Sequence, residues 1–108
     1  MNFNDMQKKA IEVRAKYSKL EEKRAGRAWN NEEIMLGFCG DVGALAKLVM
    51  ANEGMRPIDN AREKLEHELV DCLWSILVLA GKYNVNLGEE FMEKMNELDK
   101  RIKREFHG

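Results

Sequence analysis

Apolar residues recur at three- and four-residue steps through most of this chain, and no segment sustains the alternation of a strand. Met6, Ala10, Val13, Tyr17 and Leu20 form one such stripe. It predicts a helix opened by Asn4 and Gln7, which have capping-box spacing, and running to about Ala25, where Gly26 ends it. A second stripe, Ile34, Phe38, Val42, Leu45 and Val49, follows the capping-box pair Asn30 and Glu33 and ends near Glu53 and Gly54. The stretch "GMRPIDN" reads as a loop, because Gly54 can take positive φ and Pro57 disfavours helix at Arg56. Asn60 and Glu63 open a third helix to about Lys82, and its run from Leu69 to Ala80 is almost wholly apolar. So wide an apolar surface predicts a central helix, buried against more than two neighbours or against another subunit. Asn86 and Glu89 open a fourth helix, carrying Phe91, Met95, Leu98 and Ile102. The expected fold is all-α without a sheet. Short links make the second, third and fourth helices antiparallel neighbours in a bundle.

Composition narrows the class. The 108 residues, with one proline and no low-complexity linker, fit a single domain spanning 1–108. Eighteen basic residues against 19 acidic ones leave a net charge of −1, without the basic excess of a nucleic-acid binder. The longest apolar stretch reads as too interrupted to span a bilayer, and "MNFNDMQKK" has no signal-peptide core. A cytoplasmic protein with neither nucleic-acid nor membrane partners is the expectation. Cys39 and Cys72 lack metal-binding spacing and are expected to be reduced, buried and hydrophobic in character. No phosphate-cradling loop and no Ser/His/Asp or Cys/His arrangement is present.

The acids raise the chemical question. Glu68 and Asp71, three residues apart, share one helix face, and Asp71 interrupts the apolar run. A buried carboxylate needs a cation, a hydrogen-bond partner or a proton. Asp41 sits in a similar setting on the second helix, beside Phe38, Val42 and Leu45, and antiparallel packing would turn it toward the other two. Three converging carboxylates suit a hard divalent cation, Mg²⁺ first, and the scarcity of His argues against zinc. The competing reading, ion pairs or a wet helix surface, is the commoner fate of an acidic pair on a helix. The apolar setting and the matching acid weigh against it here. Trp29, in "GRAWNNEE", either stacks on a base or packs the hinge before the second helix. The "KLEEKRAGR" charges of the first helix read as a solvated face.

With these residues in hand, "GDVGALAKLV" and "HELVDCLWSILVLAGKYNVNL" resemble the MazG-like family of all-α nucleoside triphosphate pyrophosphohydrolases. That family carries ExxE on one helix and ExxD on the next. "DVGA", Asp41 to Ala44, stands for the first and "ELVD", Glu68 to Asp71, matches the second, within a likeness running from about Asn31 to Arg101. The resemblance implies a four-to-five-helix bundle dimerising through helices, as a homodimer or a dimer-of-dimers tetramer, with sites near the subunit interface. It implies Mg²⁺-dependent hydrolysis, with Mn²⁺ as an alternative ion, of a nucleoside triphosphate to the monophosphate and pyrophosphate. House-cleaning of nucleotide pools is a role such an activity serves. By position, Asp41, Glu68 and Asp71 match metal ligands, Glu68 and Asp71 also serving catalysis. Lys94 and Arg101 match residues that reach phosphates, and Trp29 would lie against the base. Three positions depart from the family pattern: Ala44 for the second acid of ExxE, Gly40 for an acid before it, and Leu98 for a frequent Asn. The first two, as lost metal ligands, leave a rival reading, a non-catalytic helical module that binds nucleotide or a protein partner.

Overall fold

The computed structural model describes residues 2–108, which form four helices and, among the described residues, no strand. They are α1 (Phe3–Ala25), α2 (Asn31–Asn52), α3 (Ala61–Lys82) and α4 (Leu87–His107). Local chemistry sets their starts. At α2, Asn30 Oδ1 accepts from the Glu33 N–H at 2.9 Å while Glu33 Oε1 accepts from the Asn30 N–H at 3.1 Å. Asn86 caps α4 through the Glu89 N–H at 3.3 Å. The box predicted at Asn4 lies two residues earlier, where Asn2 accepts from the Asp5 N–H at 2.9 Å and Asp5 accepts in return. The cap predicted at Asn60 is not made, because Asn60 adopts left-handed backbone (φ 56°), which asparagine tolerates, and its side chain does not bond the helix. Asn52 pins this turn instead, donating to the Ala61 carbonyl at 3.1 Å.

α3 is central, as its pattern predicted, and the extensive helix packing among the described residues is α2 on α3 and α1 on α3. Ala10, Ile34, Leu77 and Val78 form the buried cluster, with Phe3, Trp74, Leu79 and Leu87 against it. The Trp74 indole N–H donates to the Ala10 carbonyl at 3.0 Å and ties α3 to α1. Gly81 permits this approach: a Cβ there would sit 2.6 Å from Ile11 Cδ1.

Two stripes fall differently from expectation. On α2, Val42 and Val49 are exposed, and the covered face runs Ile34, Phe38, Asp41, Leu45, Leu48. Steps of 4, 3, 4 and 3 residues follow the 3.6 period more closely than the predicted set does, and they place Asp41 on the side of α2 that meets α3. On α4 the predicted stripe covers nothing. No residue of that helix is buried, and Phe91, Met92, Met95, Ile102 and Phe106 are exposed. Phe3 meets Gly88 at the start of α4, and beyond it the helix leaves the other three. It is therefore not the antiparallel neighbour expected from the short link. The radius of gyration is 17.6 Å, against about 13 Å for a compact chain of this length.

By length and composition α2 is apolar enough to cross a membrane, contrary to the expectation that no stretch qualifies. Cys72 is buried and Cys39 exposed, both free, so the expectation of two buried thiols holds for one of them.

Candidate functional site

The packing of α2 on α3 brings Asp41, Glu68 and Asp71 within electrostatic reach of one another. Burial, then the Asp41 carboxylate, then the Asp71 carboxylate push the Glu68 carboxyl above the ordinary carboxylate range. Burial and the same three acids raise the Cys72 thiol. Glu68 Oε1 is buried without a hydrogen-bond partner. Among the described residues none of the three acids makes an ion pair. The burden of burial falls on Glu68 and not on Asp71, as the apolar run had suggested. Asp71 is exposed, because α1 and α2 cover the face of α3 that carries Cys72 and Val78 and leave Leu69, Val70, Leu73 and Ile76 open. No group of three or more His, Cys, Asp or Glu side chains among the described residues is already arranged around a metal position.

Beside the acids lies a cavity of about 440 Å³ between α1, α2 and α3, with Asp41 and Asp71 in its wall. Its aromatic lining is Tyr17, Trp29 and Trp74, with the Tyr17 and Trp74 rings 5.7 Å apart and tilted by 54°. Trp29 can fold over α2 because position 37 is glycine: a Cβ there would stand 3.2 Å from the indole. The Arg14 guanidinium, 5.7 Å from the Trp29 ring, faces that ring and pairs with Glu21. Glu21 also accepts the Trp29 backbone N–H at 2.9 Å. Burial opposes charge on Glu21, but the Trp29 N–H and the Arg14 guanidinium outweigh it and hold the carboxyl below its usual range.

So Trp29 shares a cavity with two of the three acids. Arg14, Tyr17, Glu21 and Trp74 were not singled out from the sequence, and Glu21 was counted in a solvated face. The signal was the spacing: 14, 17 and 21 repeat at three and four residues and mark one side of α1. Lys94 and Arg101 lie apart from this cavity in a single chain. Both are exposed on α4 and turn to Glu97, at 3.8 and 3.4 Å.

The Glu68 environment has a consequence for stability. A carboxyl with a raised folded-state pKa binds its proton more tightly folded than unfolded. Its contribution to stability therefore falls as pH rises through the ordinary carboxylate range and reaches its lowest level above the raised pKa. Without metal, Glu68→Gln is expected to melt above the wild type at pH 7, with the difference closing below about pH 4. Melting curves in chelator across pH measure this, and an equal or lower melting temperature for the variant at pH 7 would contradict it.

No family model matches the chain, and no curated protein or solved structure shows a significant match to it.

Proposed function

We propose that this chain is a Mg²⁺-dependent nucleoside triphosphate pyrophosphohydrolase of the MazG-like type. One observation carries the reading: a buried, unpartnered Glu68 oxygen beside two further carboxylates, without a cation, next to an aromatic cavity that two of those acids line. The donor chemistry suits a hard cation that keeps several waters, since all three side chains offer oxygen, although they are not arranged around one metal position in the single chain. Mg²⁺ held by Asp41, Glu68 and Asp71 would neutralise charge on the triphosphate. Glu68 Oε1 is the atom free to bind the ion or to take a proton from the attacking water. Tyr17, Trp29 and Trp74 hold the base.

The phosphates need cations that the cavity lacks beyond Arg14. We assign them to Lys94 and Arg101, brought to the acids when two copies pair through α4. The open apolar faces of α3 and α4 support a second copy as the occupant. Most of a protein helix's stability comes from packing its amphipathic face, and α4 gains almost nothing from its own chain.

The rival, a non-catalytic helical module, draws on Ala44 and on an exposed Asp71. Metal binding separates the two. Free Mn²⁺ followed by paramagnetic resonance is expected to fall on addition of the wild type, to fall less with Asp41→Asn, and to fall further with Ala44→Glu, which supplies the missing acid. A wild type that leaves millimolar Mn²⁺ free would favour the rival.

A further inference from the structure

We propose that the cavity selects nucleotides whose base carries an exocyclic amino group, and that Glu21, held by Arg14, reads that group. The inference rests on the base-binding role just assigned to the cavity.

Three aromatic walls accept any base, because every base has a π-face. Choice among bases must come from polar groups at the rim of the stack, and the pair of Arg14 and Glu21 in the cavity lining supplies them. Glu21 Oε1 is already occupied by Arg14 and by the Trp29 N–H. No hydrogen bond within the described residues reaches its second oxygen. An ionised carboxylate only accepts, so a ligand group that meets this second oxygen must be a donor. Arg14 beside it only donates, and its Nε is without a partner.

Cytosine answers this arrangement with an amino N–H for Glu21 and a neighbouring ring nitrogen for Arg14. Adenine presents the same pair, and guanine offers an N–H and an amino group beside a carbonyl. Uracil and thymine place a carbonyl oxygen where cytosine has its amino group. Their single ring N–H lies between two carbonyls, so a carboxylate that approaches it also meets like partial charge. A carboxylate oxygen that faces a carbonyl loses the water that would otherwise donate to it and gains no donor in return, so such a base is disfavoured.

The two tryptophans of the chain, Trp29 and Trp74, both line the cavity, so intrinsic fluorescence reports binding directly. Cytidine and uridine 5′-monophosphates differ only in the exocyclic group and the ring nitrogen beside it, the two positions that Glu21 and Arg14 would read. Titrated into the wild-type protein in chelator, the cytidine nucleotide is expected to quench with a Kd at least about tenfold below that of the uridine nucleotide. Glu21→Gln, whose amide both donates and accepts, is expected to bring that ratio toward one with the helical circular dichroism unchanged. Equal binding of the two, tighter binding of the uridine nucleotide, or no quenching by either at millimolar concentration would overturn the proposal. The wild-type comparison decides by itself should Glu21→Gln fail to fold. Because no metal is present, the result is independent of turnover. Selective binding without hydrolysis of any triphosphate removes the assigned activity and leaves this selectivity standing. Hydrolysis with indifferent binding does the reverse.

Discussion

Glu68→Gln is expected to lower metal-dependent pyrophosphate release by about a thousandfold or more while the helices remain intact. The substitution keeps the shape of the side chain and removes its charge. The Glu68 oxygen is buried without a partner, and its carboxyl is raised by burial and by Asp41 and Asp71. The carboxyl's side-chain partner is Asp41, to which a glutamine amide can donate in place of the shared proton, so a purely structural role predicts a harmless or stabilising change. A ligand or proton acceptor predicts loss of turnover. The two readings are separated by measuring both quantities on one variant: a higher metal-free melting temperature together with lost activity marks a residue retained at a cost to stability. Full turnover in Glu68→Gln would remove the residue from the site.

The second large effect concerns assembly. Leu98→Asp combined with Ile102→Asp is expected to convert a dimer or tetramer into 12.5 kDa monomers in light scattering, with loss of helical signal from α4. Both residues belong to the apolar stripe of α4, where no side chain is buried within the chain. A carboxylate forced into an apolar interface without a partner costs on the order of a few kcal/mol, and symmetry repeats it on each copy. The released helix then has little to hold it, since its amphipathic face is left without packing. Loss of turnover in the same variant would place the Lys94 and Arg101 contribution in the assembled form. A wild-type chain that is monomeric at tens of micromolar with α4 fully helical would contradict this account of the open faces.

Much of the local structure was legible because it depends on near neighbours. The box at Asn30 and the cap at Asn86 close over three residues, and Gly26 and Gly54 take the positive φ their positions predicted (83° and 80°). The misses came where a longer-range influence decided. Asn60 has the spacing of a cap, yet it takes left-handed backbone at the turn and its side chain makes no bond to the helix. The apolar run of α3 suggested a buried Asp71, but a single chain covers one face of that helix, and Glu68 lies on it while Asp71 does not. The stripe on α4 was read correctly as amphipathic and incorrectly as packed within the chain, since a pattern shows which face wants covering and not what covers it. In the site, Asp41, Glu68 and Asp71 were legible as acids in apolar settings. Glu21 was read as part of a solvated face, and Arg14, seven residues earlier, drew no notice; Trp29 folding over the pair gives them their setting.

Hydrolysis tests the central claim most directly. The purified protein would be incubated with ribo-, deoxyribo- and modified nucleoside triphosphates, with Mg²⁺, with Mn²⁺ and with chelator, and pyrophosphate separated from phosphate. The account predicts pyrophosphate and the matching monophosphate from at least one triphosphate, only when metal is present. A folded protein that releases no pyrophosphate from any of them would contradict it, and would leave a helical binding module in place of an enzyme.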